Sequence, residues 1–172
     1  MANISYIASF IATILGLIEP FGKNMKVILA FNFTGNLLVG LSYLMVGQLS
    51  GAAICAVACV QVIINFIFDL KGKKVPVWLI IIYAVAFLSV NLITFASWFD
   101  IFALIAAMLF VVSVAQSDAK YYRLLYFTNS AVWILYDFLA KAYGNLSTHI
   151  VLVIATFISM LVRDRKTKKD IE

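Results

Sequence analysis

The sequence predicts an all-α polytopic membrane protein with seven transmembrane helices, and three observations carry that prediction. Of 172 residues, 65% are hydrophobic and only 12% charged, whereas soluble domains hold roughly 25% charged residues. The mean hydropathy is +1.05. The apolar sequence falls into seven stretches of about 17–23 residues, the helix length that crosses roughly 30 Å of hydrocarbon. Segments of about 10 residues with dyad alternation, the mark of a transmembrane β-barrel, are not seen. The third observation is the placement of charge. Twelve of the 13 Lys and Arg residues lie in every second gap or in the tail: Lys23 and Lys26; Lys71, Lys73 and Lys74; Lys120 and Arg123; Arg163, Arg165, Lys166, Lys168 and Lys169. Lys141 alone lies in the other set. Basic loops stay in the cytoplasm, so the same pattern predicts an N-terminus outside and a C-terminus inside.

The first helix is expected over Ile4–Pro20, with Pro20 near its end and Gly22 as a breaker. Its start carries no basic side chain, unlike a secretory signal, so it reads as an uncleaved span. The second helix is expected over Val27–Val46, closed by Gly47, and a short turn leads to the third over Ala52–Leu70. Lys71–Lys74 is a hydrophilic break. Pro76 opens the fourth, Pro76–Ala96, at a first-turn position where a missing N–H costs little. The fifth is expected over Trp98–Gln116. The sixth, Tyr122–Tyr143, is stopped by Gly144 and Asn145, and the seventh runs Leu146–Val162. Trp78, Trp98, Tyr121 and Tyr122 fall at span ends, where aromatic rings anchor at headgroups.

The net charge of +5 resides in loops beside spans and is no nucleic-acid signal. The tail reads as a topology determinant, with anionic lipid a weaker option. Cys55 and Cys59, four apart in an apolar run, read as small packing residues rather than a disulfide or metal site. His149 reads as an interfacial polar residue. No Gly-rich phosphate loop, nucleophile elbow or His/carboxylate cluster is present, so neither an enzyme nor a metal or cofactor is expected.

The chain repeats internally. At an offset of 94, Ile7, Ile11, Ala12 and Leu15 meet Ile101, Ile105, Ala106 and Leu109, Lys26 meets Lys120, Phe33-Thr34 meets Phe127-Thr128, and Leu41 meets Leu135. After three extra residues the offset becomes 97, and Gly47, Leu49 and Ser50 meet Gly144, Leu146 and Ser147. Helices 1–3 (residues 1–74) and 5–7 (residues 98–172) are thus expected to be two copies joined by helix 4 (residues 75–97). Three crossings plus one restore direction, which gives a parallel repeat about an axis along the membrane normal.

This 3+1+3 layout, with its outside N-terminus and short 2–3 and 6–7 turns, resembles the SWEET and PQ-loop transporter superfamily. Within it the chain is most similar to the bacterial inner-membrane YgjV family. The segments that carry the likeness are Lys26–Asp69, with Asn36, Val46-Gly47 and Gln61 to Asn65, and Lys120–Arg165, with Trp133 to Phe138. The resemblance implies a plasma-membrane, multi-pass protein in which a pocket between two triple-helix bundles passes a small neutral solute. The chain departs from the group's pattern in lacking the Pro-Gln pair; Glu19-Pro20 stands near that place. Pro20 is the one proline inside a repeat, so Gly16, Gly35 and Gly40 are the expected sources of flexibility.

Polar groups in hydrocarbon are costly and face protein or a water-filled cavity. In helix 2, Asn32, Asn36, Gly40 and Tyr43 share one face. In helix 6, Tyr126, Ser130, Ile134 and Asp137 do so, flanked by Asn129, Trp133 and Tyr136. In helix 3, Gln61 and Asn65 are four apart. These stripes read either as the lining of a substrate cavity, with amides for hydrogen bonding and rings for stacking, or as interhelical glue. Asp137 reads as a coupled-proton or cation site, or as a partner of Lys141 one turn on. Glu19, with Pro20, reads as a gate element or as a partner of Lys23. The expected function is transport of a small polar solute, sugar-like or nucleoside- or vitamin-like, by alternating access. The alternative is a non-transporting membrane subunit that packs on or regulates a partner through a small-residue groove near Ala52, Ala56 and Cys59. The expected partners are the solute and the bilayer, with no nucleic acid, and the protein is expected as a monomer or homo-oligomer.

Overall fold

The computed structural model describes residues 2–164, with side chains from Ser5 to Arg163. Residues Arg165, Lys166, Lys168 and Lys169 of the basic tail lie outside the described residues. The described chain is all-helical: α1 (Ala2–Ile18), a 3-10 turn (Glu19–Phe21), α2 (Met25–Met45), α3 (Leu49–Leu70), α4 (Val77–Thr94), α5 (Asp100–Ser113), α6 (Ala119–Leu139), α7 (Tyr143–Ser159) and a closing π-turn (Met160–Asp164). Four helical segments are long and apolar enough to cross a membrane: Met25–Met45, Leu49–Leu70, Val77–Thr94 and Tyr143–Arg163. Ser5–Phe21 and Asp100–Ser113 are shorter apolar helices. Large apolar side chains such as Phe10, Ile81, Ile93 and Phe138 are more than half exposed. That is the expected surface of a chain solvated by lipid rather than water.

The local boundaries follow capping chemistry. Asn24 caps α2, its Oδ1 accepting from the Val27 N–H at 3.1 Å, and Asp118 caps α6 by accepting from the Lys120 N–H at 2.8 Å. This cap starts α6 three residues before the expected Tyr122. Pro76 is the N-cap of α4 rather than its first residue. The α5 helix is shorter than expected because Asp100 turns its carboxylate back to the Ala96 and Ser97 N–H groups, both at 2.8 Å. Gly144 and Asn145 do not stop α6, which ends at Leu139; they sit in the first turn of α7. The reversal between α6 and α7 is instead made by Lys141, which has φ 55.

The helices close a ring in the order α1, α2, α3, α5, α6, α7, with α4 packed outside against α3 and α5. Small polar residues form the α1–α2–α7 seam. Ser5 Oγ lies 2.8 Å from Ser42 Oγ, Ser9 Oγ donates to Asn145 Oδ1 at 2.8 Å, and Thr13 Oγ1 lies 2.8 Å from Thr148 Oγ1. Such residues let helices approach closely where lipid offers no hydrophobic drive. Gly16 and Gly40, expected as flexible points, are close-packing points instead. A Cβ at Gly16 would lie 2.7 Å from Leu152 Cδ2, and one at Gly40 would lie 2.9 Å from Cys55 Cβ. Cys55 and Cys59 are free thiols.

Candidate functional site

The ring lines a cavity of about 40 Å³, to which α1, α2, α3, α5, α6 and α7 all contribute. Its polar lining is Glu19, Asn36, Asn129, Thr148 and His149; its aromatic lining is Phe110, Tyr126 and Trp133, and small residues such as Gly35, Cys55 and Ala58 complete the wall. About 10–15 Å³ holds one water, so the cavity has roughly three such places.

The cavity's two closures are carboxylate clusters that bridge the halves of the chain: Glu19 belongs to the lining, whereas Asp137 reaches it through the lining residue His149. At the end nearest Lys26 and Lys120, Glu19 accepts a short hydrogen bond from the Tyr122 hydroxyl of α6. The same oxygen accepts from Asn32 Nδ2 of α2 at 2.9 Å, and Asn32 Nδ2 also reaches Tyr122 Oη at 3.1 Å. Tyr126 stacks on Tyr122 with ring centroids 5.0 Å apart. Pro20 is fixed in the same turn, its carbonyl accepting from Ser159 Oγ of α7 at 2.6 Å. At the opposite end, Asp137 of α6 accepts a short hydrogen bond from the Tyr43 hydroxyl of α2. Its other oxygen lies 2.6 Å from His149 Nδ1 of α7. Trp133 stacks parallel on the His149 ring at 5.6 Å and packs against Tyr43 and Tyr136. Both carboxylates are buried, at 2% exposure for Glu19 and 0% for Asp137. In an apolar interior a carboxyl group must be hydrogen-bonded or paired to remain there, and these partners meet that need.

Several sequence expectations are corrected by these contacts. Asp137 is engaged by Tyr43 and His149 rather than Lys141, because Lys141 lies beyond the end of α6 at a reversed backbone angle. Glu19 turns inward to Asn32 and Tyr122 instead of outward to Lys23. His149 is not interfacial: α7 begins at Tyr143, which carries His149 inside the bundle at 6% exposure. Tyr122 is not a headgroup anchor but is fully buried, whereas Trp78, Trp98 and Tyr121 remain exposed.

The predicted site residues divide into three groups. Asn36, Tyr126, Asn129 and Trp133 line the cavity. Asn32, Tyr43 and Asp137 form its closures together with Glu19, and Tyr136 backs them, its hydroxyl accepting from the Gly51 N–H at 3.2 Å. Gln61 and Asn65 turn away, donating to the carbonyls of Val111 in α5 at 3.2 Å and of Val114 just after it at 3.0 Å. Ser130 is buried beside the site without lining it. Tyr122 and His149 belong to the site although their positions near span ends hid them. The α3 pair therefore acts as glue. Asn65→Ala is expected to lower stability by about 1–2 kcal/mol and to leave solute uptake unchanged, as checked by denaturant titration in mixed micelles beside a transport assay.

No curated protein and no solved structure matches the chain. Residues 3–168 match the Imp-YgjV family, described as bacterial inner membrane protein. The match covers the whole ring and both closures of the cavity, and the chain belongs to this family of bacterial inner membrane proteins.

Proposed function

We propose that the protein is a multi-pass transporter of a small polar solute that works by alternating access. Its seven spans form two parallel triple-helix units, residues 1–74 and 98–172, joined by α4, with the N-terminus outside and the C-terminus cytoplasmic. The observation that carries this reading is the cavity between the two units, flanked by two carboxylate–tyrosine hydrogen bonds, Glu19 with Tyr122 and Asp137 with Tyr43, each crossing between the units. A solute path needs such a pair, since only one closure opens at a time.

Symmetry supports it. At the repeat offset of 94, Tyr43 and Asp137 are equivalent positions, and they are also the two partners of one hydrogen bond. A residue that meets its own repeat equivalent lies beside a two-fold axis. Asn32 and Tyr126 are likewise equivalent, and both flank Glu19. The ring order agrees, because the α1–α7 and α3–α5 junctions exchange under the same operation. The axis then passes through the cavity, as in other transporters built from parallel repeats.

The test is uptake by the full chain in proteoliposomes from a mixed metabolite pool. At least one solute class is expected to enter above protein-free vesicles. Absence of uptake for every class would favour a second reading, a non-transporting subunit. One observation speaks for that alternative: an apolar groove of about 370 Å³ between α2 and α3, lined by Gly40, Ala52, Ala56 and Cys59, faces outward.

A further inference from the structure

We infer that the cavity takes a small organic cation, an ammonium-bearing solute of a few heavy atoms, with Glu19 as its counter-charge. The inference rests on the transport reading and deepens it. Three independent features of the lining point to a cation.

The first is charge. Glu19 lines the cavity, and its hydrogen-bond partners, Asn32, Tyr122 and Tyr126, are neutral. No Lys or Arg stands among the lining residues. The one imidazole of the lining, His149, is held by Asp137. A cationic solute would supply the positive charge that the Glu19 cluster does not contain, whereas an anion would meet a carboxylate.

The second is hydrogen-bond polarity. The Asn36 amide NH₂ is used on the Asn32 carbonyl at 2.9 Å and the Asn32 side-chain oxygen at 2.8 Å. One N–H of the Asn129 amide is used on the Ala106 carbonyl at 2.6 Å. What Asn36 retains for a solute is its carbonyl oxygen, and Asn129 retains its oxygen and one N–H. With Glu19, the two amide oxygens are acceptors complementary to the three donors of an ammonium group.

The third is the aromatic wall. Phe110, Tyr126 and Trp133 line the same space, and ring faces attract cations through their quadrupole, Trp most strongly. The size agrees: the cavity of about 40 Å³ is far too small for a hexose and suits a two-carbon amine.

Trp133 supplies the readout. Trp78→Phe and Trp98→Phe remove the two exposed tryptophans and leave Trp133 as the one indole of the three. The full-length protein in liposomes is titrated with ethanolammonium, ethylene glycol and glycolate, which match in size and differ in charge. The expected result is a saturable Trp133 fluorescence change with ethanolammonium alone, weakened by about tenfold or more in Glu19→Gln. A response to ethylene glycol or glycolate without one to ethanolammonium would overturn the inference, as would unchanged ethanolammonium binding in Glu19→Gln. If Glu19→Gln does not fold, the charge series on the unaltered site decides. Should ethanolammonium fail while the metabolite pool still yields uptake of a neutral solute, only the cation class falls; failure of both removes the transport reading too.

Discussion

Asp137→Ala is expected to be the most destabilising single truncation at the closures, by about 3 kcal/mol. Asp137 is fully buried and serves two partners from two other helices, Tyr43 on α2 and His149 on α7. Truncation leaves a tyrosine hydroxyl and an imidazole without their acceptor in an apolar setting, and the desolvation cost of each remains. It also loosens the Trp133–His149 stack, since the imidazole is oriented by the carboxylate. Asp137→Asn keeps one acceptor oxygen and should lose less. Lys141→Ala should be nearly neutral, since an exposed surface cation makes little difference. Denaturant titration of the three variants in mixed micelles gives the order. A loss for Asp137→Ala within about 0.5 kcal/mol of Lys141→Ala would mean that the closure does not hold the bundle.

Helix number and most of the boundaries were legible because lipid imposes a minimum length on any apolar run and because basic residues punctuate the gaps. The stripes on α2 and α6 were legible for a related reason: residues three and four apart share a face, and a polar stripe on an apolar helix must face inward. Asn36, Tyr126, Asn129 and Trp133 stand on or beside those stripes, and all four line the cavity. The α3 stripe looked identical in sequence, yet Gln61 and Asn65 bind carbonyls in and just after α5. Which neighbour a polar face meets is fixed by the rotation of the helix in its tertiary setting, and periodicity carries no record of it. Tyr122 and His149 were missed by a different route. Each lies close to a helix start, where aromatic and polar side chains normally sit at headgroups. The Asp118 cap and the early start of α7 at Tyr143 moved both a turn deeper into the bundle. The partners of Glu19 and Asp137 were likewise hidden, because the nearest cation in sequence was not the nearest donor in space.

The central claim is that the two closures open alternately onto one cavity, and a native thiol can report it. Cys55 lines the cavity at 3% exposure, and Cys59 is the other cysteine of the chain. In a Cys59→Ala background, a membrane-impermeant maleimide applied from one face of sealed vesicles therefore reads which closure is open. Tyr43→Phe removes one hydrogen bond to Asp137, the one that crosses between the two halves, and Tyr122→Phe removes the corresponding one to Glu19. A hydrogen bond to a charged group contributes about 1.5–3 kcal/mol, and each 1.4 kcal/mol is about tenfold in population, so each variant should shift the conformational balance by about tenfold or more. Cys55 of the otherwise unaltered protein is expected to label slowly from both faces. Tyr43→Phe should raise labelling from the face opposite the basic loops, and Tyr122→Phe from the face that carries them. Labelling of both variants from the same face, or no change in either, would contradict the account.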